Sequence, residues 1–176
     1  MRKFLILMIS VGILSCANNK TEQVSTIKIK DEKAQKISKM MESYVNNNFD
    51  SSIISEDAKI KFNQLEMTKT DFENLVNTHH AMFNEISFPE GWMETVNYIG
   101  ADVKNAGGKY ADDYGSTWTS HWSDWTAVSK ISGDTISNHC FFGYKWENDK
   151  IVEVSAIFPD EAFNKELAMF MEANKK

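Results

Sequence analysis

Three period-two segments dominate the second half of the chain: Thr117 to Ile131, Thr135 to Trp146 and Ile151 to Phe158, separated only by Ser132-Gly133-Asp134 and Asn148-Asp149. Connections that short join antiparallel neighbours, so the segments predict a meander; parallel neighbours need crossovers of about a dozen residues or more. Met93 to Ala101 adds a strand ahead of them, followed by a glycine-bearing acidic loop over 102–115. Both strand faces carry apolar residues, Ile151 and Ile157 against Val152, Val154 and Phe158. Such a sheet needs helices on one face and a helix or a second copy on the other.

The helices are legible on either side. Ala34, Ile37, Met40, Met41, Tyr44 and Val45 recur at steps of three and four, an amphipathic helix from about Asp31 to Asn46–Asn48. Phe49 to Glu56 reads as a short turn or helical piece, and Asp57 to Asn63 alternates as a half-buried strand. Thr70 and Glu73 have capping-box spacing, so a second helix is expected from Asp71 to about Ile86, with His79 in the middle of its apolar stripe. Pro89 and Gly91 end it, and Glu161 to Ala173 forms a terminal helix with Phe163, Leu167, Phe170 and Met171 inward. The fold class is α+β, with one domain over 31–176.

The first sixteen residues, MRKFLILMISVGILSC, read as a signal peptide over 1–15 ending at a lipid-attachment cysteine. Arg2 and Lys3 form the basic region, Phe4 to Leu14 the apolar one, and Ile13-Leu14-Ser15-Cys16 resembles a bacterial lipobox. The apolar run is shorter than the roughly 20 residues that span a bilayer. Lipid on Cys16 would place the protein on the bacterial cell envelope, at the outer membrane facing the periplasm. Residues 16–30, polar and without a sustained period, suit a flexible tether.

Charge and composition exclude several function classes. The formal net charge is −6, and Arg2 is the only arginine, so cleavage makes the domain more acidic and removes every guanidinium. Such a surface repels phosphate backbones, which argues against nucleic-acid partners, and offers no bidentate clamp for carboxylate or phosphate. Cys140 is left without an intrachain partner and, within an apolar strand, reads as a small buried hydrophobe. Asp102, Asp112 and Asp113 lack calcium-loop spacing, so no metal site is expected.

Helix, short piece, strand, helix and curved meander is the element order of the nuclear transport factor 2-like superfamily, which includes SnoaL-like cyclases, ketosteroid isomerases and scytalone dehydratases. Glu42-Ser-Tyr-Val-Asn-Asn-Asn-Phe-Asp-Ser-Ser-Ile-Ile-Ser-Glu-Asp-Ala58 resembles that family's first helix and its entry to the first strand. Phe142-Gly-Tyr-Lys-Trp-Glu-Asn-Asp-Lys-Ile-Val-Glu153 is similar to its late hairpin. The resemblance covers about Asp31 to Phe158. It implies a cone in which a curved antiparallel sheet wraps the N-terminal helix and leaves a pocket at the mouth. It also implies that Tyr44 matches the isomerase tyrosine that donates to a substrate oxyanion. The isomerase base would fall at Phe62 and its protonated aspartate near Phe142, and neither phenyl ring moves protons. The Asp-Arg-Asp arrangement of the superfamily's epoxide hydrolases is ruled out by the missing arginine.

The remaining candidates for proton chemistry are His121, His139, Asp124 and Tyr44, with Tyr114 as a second donor; His79 reads as a buried, hydrogen-bonded residue. His121 and Asp124 are three apart and so fall on opposite faces of a regular strand. A two-residue turn would set His139 across from Val128 and Trp146 across from His121. Aromatic residues define the expected ligand-binding set, Tyr44, Trp118, Trp122, Phe142 and Tyr144; Trp118 and Trp122 share one face and Trp125 takes the other, with Tyr110 and Tyr114 nearby. These features favour a membrane-tethered domain that binds a small apolar or amphipathic molecule without turnover and without a cofactor. A dehydratase or cyclase-type enzyme with a His base and a structural module that homodimerises through the sheet are the alternatives.

Overall fold

A computed structural model of the protein describes residues 25–89, 91–105, 107–108 and 112–175, without the side chains of 101 and 102. The leader, Cys16, the tether as far as residue 24, Tyr110 and the side chain of Asp102 lie outside the described residues. Eight strands form one open sheet in the order β1 (Thr26–Ile29), β5 (Gly91–Asn97), β6 (Thr117–Ser129), β7 (Thr135–Glu147), β8 (Lys150–Ile157), β2 (Ile54–Phe62) and β3 (Leu65–Met67), with β4 (Phe83–Ser87) also paired to β6. The helices are α1 (Glu32–Val45), α2 (Lys69–Met82), the short α3 (Ala101–Asn105) and α4 (Glu161–Ala173). No described helix is long and apolar enough to cross a membrane.

The expected cone is present: the curved sheet encloses α1, and α2 and α4 cover the rest of the inner face. One junction differs from an all-antiparallel sheet, because β2 runs parallel to β8 with Ile60 opposite Val154. The sheet also begins earlier than the tether boundary at residue 30, since Thr26 to Ile29 pair with Asn97 to Glu94. Polar composition over that stretch is the signature of an edge strand as much as of a linker, and all four β1 residues are exposed.

Asp31 sets the position of α1. Its Oδ1 accepts from Ala34 N at 3.0 Å, capping the helix, and from Thr95 Oγ1 at 2.7 Å. Thr95 pairs in turn with Thr119 (2.9 Å), whose Oγ1 accepts from Trp146 Nε1 at 2.9 Å. The buried face of α1 is Ala34, Ile37, Met40 and Tyr44, as its periodicity indicates.

Helix α2 departs from expectation at both ends. Its capping box is Thr68 with Asp71, and Glu73 instead accepts from Ser51 Oγ at 2.5 Å. It stops at Met82, and Phe83 to Ser87 become β4, because the edge of β6 from Thr126 to Ser129 needs hydrogen-bond partners. Apolar spacing through Phe83 and Ile86 suits either state, and sheet pairing decides it.

The β6–β7 connection is longer than the two-residue turn considered above. Ser129 N donates to Asp134 O at 2.9 Å, while Lys130 N is taken by Met82 O at 2.9 Å. Val128 therefore lies opposite Thr135, His121 opposite Phe142, and Asp124 opposite His139. The β7–β8 turn keeps the short form, with Asn148 and Asp149 both at positive φ, 46° and 65°. Helix α4 is fastened to the hairpin by its buried Glu166, which accepts from Ser129 Oγ at 2.5 Å and Ser132 Oγ at 3.0 Å.

Two apolar clusters make the core. One joins α1 to β2, β7 and β8 around Ile37, Ile54 and Ile151; the other joins α2, β4 and the hairpin around Val76, Phe83 and Trp125. Phe49, Phe72, Phe142 and Phe158 pack against both. Thr119→Val would leave the Trp146 indole N–H buried without its acceptor, and urea denaturation should show a loss of about 1–3 kcal/mol. A loss under about 0.5 kcal/mol, the level of an ordinary surface change, would mean that the relay does not hold the helix.

Candidate functional site

A cavity of about 180 Å³ opens where the two clusters meet. Met40, Met41 and Tyr44 of α1 and Phe72, Leu75, Val76 and His79 of α2 form one side; Phe62, Trp125, Asn138, Cys140 and Phe142 of the sheet form the other, and Phe163 of α4 closes it. The phenylalanines hold one another edge to face: Phe62 lies 5.3 Å from Phe72, 6.0 Å from Phe142 and 5.9 Å from Phe158, centroid to centroid. Phe88, Asn63, Asp160 and Asn164 also line it.

Polar groups inside are few and linked. Trp125 Nε1 donates to Tyr44 Oη at 2.8 Å, and Tyr44 Oη hydrogen-bonds His79 Nδ1 at 2.8 Å. Burial pushes the Tyr44 hydroxyl well above the usual phenol value and holds His79 down to about 4, with the neighbouring His80 adding to the second shift. Both are neutral at physiological pH. Cys140 donates its thiol to Ser123 O at 3.0 Å, and burial raises it to about 11, so it is an inert wall residue as expected.

No family model matches the sequence, and no curated protein matches it. Solved structures do. A candidate polyketide cyclase from Xanthomonas campestris pv. campestris superposes with a TM-score of 0.53 at 10% identity, covering 78% of this chain and 96% of its own. A nuclear transport factor 2-like protein of unknown function from Burkholderia pseudomallei gives 0.52 at 10% identity, over 77% of this chain and 96% of that one. Another, from Burkholderia thailandensis, gives 0.51 at 8% identity over 77% and 96%. The chain has the nuclear transport factor 2-like fold.

Within this nuclear transport factor 2-like cone, the residues expected to bind a ligand separate into two groups. Tyr44 and Phe142 line the cavity, as do Phe62 and His79. Tyr144 is 1% exposed and stacks behind Phe142 at 6.2 Å, in the core and off the lining. Trp118 and Trp122 face outward: Trp122 is 46% exposed and rests 4.5 Å from Phe141, while the Lys145 ammonium stands 5.6 Å from the Trp118 ring. The strand parity noted in the sequence puts Trp125 inside and these two outside.

The proton-chemistry candidates also part company. His139 Nδ1 and Asp124 Oδ1 are 2.6 Å apart on the outer face, the histidine exposed and the aspartate half-buried. His121 is buried on the inner face, but beyond Phe88, in a second groove of about 680 Å³ between α1 and β5. Its Nδ1 has no partner among the described residues, and burial lowers its pKa to about 4. Tyr114 is exposed near Lys104, and Asp113 pairs with Lys145 at 3.9 Å. No group of three metal-ligating side chains occurs among the described residues.

Trp125 and Asn138, opposite each other across the hairpin, line the cavity although neither belongs to the expected ligand-binding set. Their parity was available, since Asn138 falls in phase with Cys140, Phe142 and Tyr144. What could not be read was which face of the meander would hold the pocket.

Two neutral histidines, His121 buried and His79 half-buried, predict an acid-sensitive fold. Their folded pKa values lie below the ordinary value of 6.5, so the unfolded chain binds more protons between about pH 6.5 and 4, and stability falls as pH drops through that window. Each contributes a slope of up to about 1.4 kcal/mol per pH unit. Urea midpoints measured at neutral pH and near pH 5 should fall with acidification, and His121→Phe should flatten the fall; equal midpoints would contradict the buried neutral state.

Proposed function

We propose that the cone binds a small apolar or amphipathic molecule without turning it over, on a domain tethered to a membrane by lipid on Cys16. The observation that carries the binding reading is the cavity wall: phenyl rings of Phe62 and Phe142 stand at the positions that the family resemblance assigns to proton-moving carboxyls. The wall offers apolar contact where turnover would need an acid and a base. A fold neighbour described as a candidate polyketide cyclase lends support to a small-molecule pocket in a cone of this kind. Burying about 200 Å² of apolar ligand surface contributes roughly 5 kcal/mol, equivalent to a Kd of about 0.1–1 mM. Native mass spectrometry of the domain purified from cells should show a bound small molecule that is recovered with unchanged mass and chromatographic retention. Recovery of only ligand-free protein, under conditions that keep other weak complexes intact, would count against binding.

The second reading is a dehydratase or cyclase-type enzyme, and the Tyr44–His79 pair favours it. The bases first considered, His121 and His139, lie off the cavity, so His79 would take that part. A conjugate acid of pKa about 4 makes its imidazole a weak base, which is why binding ranks above turnover. A converted product in place of the recovered ligand would reverse that order.

The outer face supports a homodimer. Trp92, Trp122, Phe141 and Ile157 form one cross-strand row, in which Trp92, Trp122 and Ile157 are 50%, 46% and 63% exposed. Full-length protein extracted in detergent tests both the anchor and the dimer. A palmitate analogue should label the wild type and not Cys16→Ser, and light scattering should give twice the chain mass, reduced to one by Trp122→Lys. An unlabelled wild type removes the anchor, and a monomer at all concentrations removes the dimer.

A further inference from the structure

The direction of the hydrogen bonds inside the cavity specifies what the ligand must carry. Indole nitrogen donates and never accepts, so Tyr44 Oη must receive the Trp125 N–H. Tyr44 is 6% exposed, and its own proton needs an acceptor; among the described residues the one in reach is His79 Nδ1. The reverse direction, with Nδ1–H donating to Tyr44, would leave a buried hydroxyl proton unpaired, which is disfavoured. His79 therefore accepts at Nδ1, and the single proton of its neutral imidazole sits on Nε2. The ring lines the cavity and is wedged between Trp125, 5.7 Å away, and Phe163, 5.1 Å away, so its orientation is fixed by packing.

We infer that the cavity selects an uncharged, largely apolar molecule with one hydrogen-bond acceptor, a ketone-like carbonyl, received by the Nε2–H of His79. The inference rests on the binding reading above and names the ligand class for that site. Among the described residues neither lysine nor arginine lines the cavity, so a carboxylate or phosphate entering it would lose its hydration with no counter-charge. The carboxylate that the described residues place in the lining, Asp160, is exposed, so a buried cation fares no better. Asn138, 8% exposed and opposite Trp125 on the neighbouring strand, adds a neutral amide to the same wall.

Three probes of one shape test this on the purified protein by calorimetry: tetralin, α-tetralone and tetralin carboxylate. Tetralone should bind about three- to tenfold tighter than tetralin, the worth of one hydrogen bond. The carboxylate should bind at least about tenfold more weakly than tetralone. His79→Phe should bring the ratio of tetralone to tetralin affinity down to about one, whatever it does to either affinity alone. Equal binding of tetralin and tetralone, or a ketone preference that survives His79→Phe, overturns the inference and leaves the binding reading intact. Failure of tetralin and tetralone alike overturns both. Heteronuclear NMR of the imidazole nitrogens gives an independent reading on the wild type: a bare Nδ1 with a protonated Nε2 that shifts on adding tetralone supports the assignment, and a protonated Nδ1 refutes it.

Discussion

One carboxylate oxygen joins the first helix to the sheet. Asp31 Oδ1 receives the backbone amide of Ala34, which ends the run of unpaired donors at the start of α1, and the hydroxyl of Thr95, which belongs to β5. Through Thr95 and Thr119 the same chain reaches the indole of Trp146 on β7, so helix, two central strands and a buried aromatic share one line of hydrogen bonds. Its direction sets which way α1 lies over the concave face. Three turns further along, that orientation brings Tyr44 under Trp125 and beside His79. The polar chemistry at the mouth of the cone thus depends on a cap at the other end of the helix.

The cavity exists because the two halves of the core do not close on each other. Phe49, Phe72, Phe142 and Phe158 touch both clusters, and rigid rings meeting edge to face leave space that flexible aliphatic chains would fill. Helix α4 lies over the remaining side, bound through Glu166 to two serines of the hairpin turn. Phe88 and Met41 separate this cavity from the groove that holds His121, so His79 and His121 serve different spaces. A fold whose resemblance implies acid-base catalysis here presents a phenylalanine wall and a three-residue hydrogen-bond relay.

Much of this was legible in the chain. The α1 stripe, the span of α4 and the β7–β8 turn follow from local chemistry, apolar periodicity in the helices and left-handed Asn148-Asp149 in the turn, and the structure repeats them, except that Met171, expected inward on α4, is 60% exposed. The end of α2 was not legible, because Phe83 and Ile86 satisfy helical spacing and strand burial equally and only the unpaired edge of β6 chooses between them. The hairpin register was not legible either. Ser129 and Lys130 spend their amides on Asp134 and Met82, contacts that no local signal announces, and the resulting shift carries His139 to Asp124.

Sequence by itself determined the α+β class, the order of elements, the absence of guanidinium from the domain and the parity that groups Trp118 with Trp122 and sets Trp125 apart, since all of these are properties of composition and short-range spacing. Tertiary structure decided which parity faces the helices, and hence that Trp125, Asn138 and His79, rather than Trp118, Trp122 and His121, surround the cavity with Tyr44. The physical reason is that alternation along a strand defines two faces without saying which is inside. That choice is made by burial against α1 and α2, summed over the whole sheet.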